Sequence, residues 1–145
     1  MTVTTTRARR GSAAGRRFGY VIGAGVNAVL LYLVNVSPGW QAAPLVTPDA
    51  AQVIPILNLS LTAGLIANLV YIVVDVRAVK ALGDLITTSI ALAVTVRVWQ
   101  VFPFDVTSGW EVLIRAFLVL CGFGCAVAII VQVVTLLRAI TGTLR

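Results

Sequence analysis

Histidine is absent from this chain of 145 residues, and charged residues make up only 11% of it. The lack of histidine excludes histidine-ligated haem, histidine-based metal sites and histidine-dependent catalytic triads. The low charge excludes an ordinary soluble domain, in which about 25% of residues are charged. Hydrophobic residues instead make up 59% of the chain, and the mean hydropathy is +1.01. This composition predicts a membrane protein with little chain left for a catalytic domain outside the bilayer.

The apolar residues fall into four blocks, each long enough to cross a bilayer as a helix. We predict an all-α, integral membrane four-helix bundle with spans over about residues 18–36, 53–74, 85–102 and 110–137. Residues 1–17 contain five arginines and no acid, which predicts a disordered basic cytoplasmic tail. Residues 138–145 would form a cytoplasmic C-terminal tail.

Basic residues are distributed unevenly among the segments that flank the spans. Nine of the eleven Lys and Arg lie in residues 1–17, 75–84 or 138–145, whereas residues 37–52 contain none. The positive-inside rule therefore places both termini in the cytoplasm and all three tryptophans at the outer interface. The net charge of +6 then reflects attraction to the lipid bilayer and not to nucleic acid, because the basic residues flank spans.

Small residues recur at a spacing of four in the first span, at Gly19, Gly23 and Asn27. A G-x-x-x-G pattern lets two helix backbones approach closely in lipid. These residues are a candidate helix-packing face, either between copies of the chain or inside one bundle, and both interpretations stay open. Comparable stripes occur in the other spans and favour a compact bundle: Ser60, Gly64 and Asn68; Thr87, Ala91 and Thr95; Gly124, Ala128 and Gln132.

Two arginines are the basic residues on the predicted outer side. One interpretation is an anion or lipid-headgroup site. The other, which we favour because three acids lie near two arginines, is structural: Arg115 pairs with Glu111 at i, i+4, and Arg97 with Asp105, Glu111 or Asp49. The site in the first interpretation consists of Arg97, Arg115, Trp99, Trp110, Asn35 and Asn58.

The two cysteines, Cys121 and Cys125, are separated by one helical turn in the fourth span. This spacing keeps their Cβ atoms farther apart than the roughly 3.5–4.5 Å that a disulfide requires. We interpret them as small apolar side chains. No acid lies within the predicted core of a span, which argues against a proton-coupled exchanger.

Arginine outnumbers lysine ten to one, and alanine and valine are abundant. In composition, size and span pattern the chain resembles the uncharacterised four-span integral membrane proteins of high-GC Gram-positive bacteria. That resemblance implies a multi-pass protein of the bacterial cytoplasmic membrane, the cell membrane of these organisms.

No phosphate-binding, dinucleotide-binding or nucleophile motif is present in the sequence. We therefore expect a protein that is not an enzyme and has no cofactor, metal or catalytic residues. The leading hypothesis is a structural or accessory protein that forms a homo-oligomer or joins a larger membrane protein complex. The alternatives are a small oligomeric transporter or channel for a solute or lipid headgroup and, third, a thiol-dependent membrane redox enzyme.

Overall fold

The computed structural model describes the backbone from Thr2 to Thr143 and the side chains from Ala13 to Gly142. Its α-helices are α1 (Thr2–Asn35), α2 (Ile54–Val73), α3 (Arg77–Val101) and α4 (Ser108–Thr143), and two 3-10 helices, Trp40–Ala42 and Pro48–Gln52, lie between α1 and α2. Each α-helix contains a segment long and apolar enough to cross a membrane: Ala13–Asn35, Ile54–Val73, Arg77–Val101 and Ser108–Gly142. The prediction of an all-α fold with four helices of spanning length is confirmed.

The helices extend beyond the apolar runs that predicted them. α3 begins at Arg77 and not near residue 85, so that only residues 74–76 separate it from α2. α1 reaches upstream to Thr2, through the basic segment 1–17 for which the sequence predicted a disordered tail, and α4 continues past residue 137 to Thr143. The physical reason is that lengthening an existing helix adds a hydrogen bond for each residue fixed, and charged residues do not end a helix.

The helices run in alternating directions, so their ends collect at two ends of the molecule. We call one the tryptophan end, since it carries Trp40, Trp99 and Trp110, and the other the basic end, where Arg16 and Arg77 lie. Asn35, at the end of α1, contacts Asn58 near the start of α2, whereas Arg16, earlier in α1, contacts Asp75 just after α2. α1 and α2 are therefore antiparallel.

The helices pack in chain order, α1 on α2, α2 on α3 and α3 on α4. The first and last helices, α1 and α4, share no extensive contact over the part of the chain that the structure describes. The result is an open row, less closed than the compact bundle that the small-residue stripes predicted. Large apolar side chains cover its outward surfaces, as lipid contact requires, and few hydrophobic residues are buried within it: Ala24, Ala50, Val53, Tyr71 and Ala81.

Backbone hydrogen bonds close the tryptophan end. The amide of Asp105 donates to the carbonyl of Leu45 at 2.9 Å, and that of Thr47 donates to Pro103 at 3.0 Å. These bonds join the α1–α2 connection to the α3–α4 connection. α3 stops at Phe102, whose φ of 44° is left-handed, directly before a proline that cannot continue the helix.

Candidate functional site

At the tryptophan end, Arg115 is held by three side chains. Its Nε donates to Glu111 Oε1 at 2.9 Å, which forms the predicted i, i+4 ion pair. Its guanidinium carbon lies 4.9 Å from the ring centroid of Trp99 and 4.3 Å from that of Phe102. A guanidinium that stacks on aromatic rings and pairs with a carboxylate has most of its binding capacity occupied.

Arg97 contacts a different helix from Arg115. Its Nε and one terminal nitrogen lie 3.4 and 3.5 Å from the carbonyl and side-chain oxygens of Gln52. No carboxylate in the described range 13–142 forms an ion pair with it, so the expected pairing of Arg97 with an acid is wrong. The 3-10 helix that precedes α2 lies against α3 and presents a glutamine there.

The remaining residues of the predicted outer site are also separate from the arginines. Asn35 and Asn58 exchange two side-chain hydrogen bonds, of 2.8 and 2.7 Å, and so connect the last turn of α1 to the first turns of α2. Trp110 is 64% exposed. The two asparagines bind each other, Arg97 contacts Gln52, and Arg115 pairs with Glu111. Because these polar groups are used within the chain, the tryptophan end favours the structural interpretation over a ligand site.

The predicted helix-packing face is used inside the chain. A Cβ added to Gly23 would lie 2.7 Å from Asn68 Oδ1, and one added to Gly64 would lie 2.8 Å from Asn27 Oδ1. Each asparagine also donates from Nδ2 to the carbonyl four residues earlier on its own helix, at 2.8 Å for Asn27 and 2.7 Å for Asn68. Two antiparallel G-x-x-x-N motifs therefore interlock, and each amide fills the space that the opposite glycine leaves.

Gly19, the third member of that face, has a different environment. A Cβ built on it would meet no heavy atom within 4 Å. Gly23 and Asn27 thus pack against α2, whereas no other part of the described chain packs against Gly19.

At the basic end, a buried tyrosine connects three helices. Tyr71 of α2 is 5% exposed, and its hydroxyl donates to Asp84 Oδ1 at 2.9 Å and also lies 3.1 Å from the carbonyl of Lys80. The ring packs edge to face on Tyr20 of α1, with centroids 5.4 Å apart. Gly83 makes this approach to α3 possible, because a Cβ there would overlap the tyrosine hydroxyl.

Asp84 lies inside α3, a helix of spanning length, and not in the connection that precedes it. The apolar run placed the third span after residue 84, so no acid was expected within a span. The spanning-length helix begins at Arg77, which places this carboxylate two turns inside it. The Tyr71 hydroxyl on α2 donates a hydrogen bond to this carboxylate and so offsets part of the free-energy cost of removing its charge from water.

A cavity of about 600 Å³ opens at the basic end between α1, α3 and α4. Its lining includes an ion pair of Arg16 with Asp75 at 3.2 Å. Two further cations, Arg77 and Lys80, line it, and the ammonium of Lys80 lies 4.9 Å from the centroid of the Tyr20 ring. The charged segment 75–84 is recognisable from the sequence, but the contributions of α1 and α4 depend on tertiary packing.

Gln132 forms part of the α4 wall of this cavity. Its Nε2 donates to Thr88 Oγ1 of α3 at 3.0 Å. Its Oε1 is buried and has no hydrogen-bond partner among the side chains and backbone that the structure describes. A buried acceptor without a donor is uncommon.

Cys121 and Cys125 are free thiols, each half-buried. Gly122, between them in sequence, lies beside Thr95 of α3, since its Cβ would be 3.9 Å from the threonine methyl group. In the described range 13–142, no group of three or more Asp, Glu, Cys or His side chains is placed to hold a metal ion.

No protein-family model, no curated protein and no solved structure matches the chain.

Proposed function

We propose that this chain is a small structural or accessory protein of the bacterial cytoplasmic membrane that crosses the bilayer four times and associates with a second copy of itself. The basic end would face the cytoplasm with both termini, because positively charged segments remain on that side during insertion. The observation that carries the proposal is the open row of helices: α4 packs on α3 but not extensively on α1, and none of its most apolar stretch is buried.

The use of the polar side chains supports assembly over transport. The amides of Asn27 and Asn68 lie in the α1–α2 contact, and that of Gln132 binds Thr88 across the α3–α4 contact. Neither asparagine lines the cavity at the basic end, whereas Gln132 contributes to its α4 wall. The lining of the cavity at the basic end contains no residue of the tryptophan end. At the tryptophan end, backbone hydrogen bonds join the two connections.

A stripe of exposed residues on α4 has the spacing of a helix–helix seam. Its members alternate steps of three and four residues, which keeps them on one face of the helix. Phe117 and Leu120 are 65% and 72% exposed, and beside them Gly124 has no atom within 4 Å of a Cβ position. A small residue between large ones allows close approach of a second helix where lipid supplies no hydrophobic drive. We call this surface the α4 seam: Phe117, Leu120, Gly124 and Val127.

Disulfide cross-linking of single-cysteine variants tests this proposal. In a background with Cys121→Ala and Cys125→Ala, cysteines at Leu120, Gly124 or Val127 should give cross-linked dimers in native membranes under mild oxidation. Cysteines at Val119 or Ala126, which are exposed but lie on another face of α4, are the matched controls.

A cross-linking pattern with the three-and-four spacing of the seam would support a dimer through α4. Two results would contradict it: equal cross-linking at all five positions, or none at any of them while the variants insert normally. The absence of dimers together with a defined larger assembly on native gels would instead favour membership of a heteromeric complex.

A further inference from the structure

We propose that the cavity at the basic end, called the cleft from here on, binds the headgroup of an anionic phospholipid, with the phosphate on α3 and a headgroup hydroxyl on α4. The cleft lies between α1 and α4, which share no extensive contact, and residues 77–84 of α3 form its floor. The inference depends on the placement in a bilayer proposed above, but not on self-association.

The floor of the cleft offers cations without carboxylate partners. Arg16 is paired with Asp75, and the carboxylate of Asp84 accepts the Tyr71 hydroxyl. Neither Arg77 nor Lys80 forms an ion pair within residues 13–142. Guanidinium and ammonium groups form short, strong hydrogen bonds with phosphate oxygens.

The backbone of α3 reinforces this attraction. α3 begins at Arg77, and its N-cap residue, Val76, provides no side-chain hydrogen bond to the first turn. The amide groups of that turn therefore remain available, and the positive end of the helix dipole lies at the same place. Charge on the side chains and on the helix terminus both favour an anion at the start of α3.

The α4 wall indicates what else the ligand carries. Gln132 lines the cleft, and its Oε1 is buried and has no donor within the described chain. An unsatisfied buried acceptor costs free energy that a donor on the ligand would recover. The phosphodiester of a phospholipid is fully ionised and has no such donor, so the donor has to come from the headgroup. A glycerol headgroup, as in phosphatidylglycerol, supplies both the anionic phosphate and the hydroxyl.

The position of the cleft favours a lipid over a soluble phosphate compound. Ala81 and Val131 add apolar surface to a cleft lining that is otherwise polar or charged. The helices on either side, α1 and α4, present exposed apolar residues such as Ile22 and Ile130. A headgroup in the cleft can therefore leave its acyl chains in the bilayer between these two helices.

Lipid binding to purified protein tests the proposal directly. Wild-type protein in neutral detergent is titrated with dioleoyl phosphatidylglycerol or dioleoyl phosphatidylcholine, and bound lipid is counted by native mass spectrometry. We expect phosphatidylglycerol to bind at least about tenfold more tightly than phosphatidylcholine, and Arg77→Gln and Lys80→Gln each to weaken it by about tenfold, the loss expected for one charge-assisted hydrogen bond. The matched control is Arg138→Gln, an exposed arginine on α4 outside the cleft lining.

A second variant tests the hydroxyl. Gln132→Leu should bind phosphatidylglycerol no more tightly than phosphatidic acid, which lacks the glycerol headgroup, whereas the wild type should prefer phosphatidylglycerol. Thermal unfolding of every variant in phosphatidylcholine nanodiscs shows that it remains folded.

Three results would overturn the proposal. Wild-type protein that binds both phospholipids equally has no anionic-lipid site. An equal loss in Arg138→Gln would show general surface attraction instead of a cleft. Stabilisation by inorganic phosphate equal to that by phosphatidylglycerol, without retained lipid, would identify a soluble phosphate ligand.

Discussion

Replacement of Gly23 by alanine is the sharpest test of how α1 and α2 are joined. The new methyl group would lie 2.7 Å from Asn68 Oδ1, closer than Cβ contacts in real structures come, and a tight 3.0 Å from its Cγ. Either the amide must rotate, which breaks its 2.7 Å hydrogen bond to the carbonyl of Gly64, or the two helices must separate. Both responses weaken the contact that holds the first helix to the rest of the protein.

The expected loss can be isolated with a matched control. Gly25, two residues along the same helix, has no atom within 4 Å of a Cβ position. Alanine at either site gains helix propensity of up to about 1 kcal/mol over glycine, so this contribution cancels between the two variants. Gly23→Ala should therefore be less stable than Gly25→Ala by about 1–3 kcal/mol, the usual cost of overpacking.

Unfolding in mixed micelles with increasing SDS, followed by tryptophan fluorescence, measures the free energy for both variants. Adding Asn68→Ala should restore most of the loss in Gly23→Ala, because the atoms that collide with the methyl group are then absent. Equal stability of Gly23→Ala and Gly25→Ala would refute the interlocking arrangement.

Three further predictions use the same unfolding measurement. Tyr71→Phe should lower the free energy of unfolding by about 1–2 kcal/mol because a carboxylate of α3 loses its donor; an unchanged value would mean that water replaces the hydroxyl. Arg115→Ala should destabilise the protein more than Arg97→Ala, since the former loses an ion pair and two ring contacts and the latter only long contacts to a glutamine. The reverse order would point to a ligand-binding role for Arg115. Replacement of Cys121 and Cys125 together by alanine should cost roughly 1 kcal/mol at most, and a trapped disulfide in the wild type with lost function in both single variants would restore the redox hypothesis.

The four α-helices of spanning length followed from hydropathy alone. A chain in lipid must satisfy every backbone polar group internally, so apolar runs of this length form helices. The sequence predicted the ends of the helices less well than their number. The start of α3 at Arg77 lies within a charged segment whose residues also form good helices, so that Asp84 lies inside α3 and not before it.

The contacts between helices were predictable only in part. The stripe that contains Gly23 and Asn27 indicated a packing face, yet nothing in the sequence said that α2 would present a matching pair, Gly64 and Asn68, in antiparallel register. The cavity at the basic end was beyond prediction for the same reason, because α1, α3 and α4 contribute to it from distant parts of the chain. Hydropathy determines which segments are helical, whereas side-chain shape determines which helices meet.

The most direct test is the accessibility of single cysteines from outside the cell. In a background with Cys121→Ala and Cys125→Ala, cysteines at Asp49 and Ser108 of the tryptophan end should react with a membrane-impermeant maleimide in intact cells. A cysteine at Ala78 of the basic end should react only after the membrane is made permeable. Labelling of Ala78 in intact cells, with Asp49 and Ser108 protected until lysis, would invert the protein in the membrane, and equal labelling of all three positions would contradict four membrane spans.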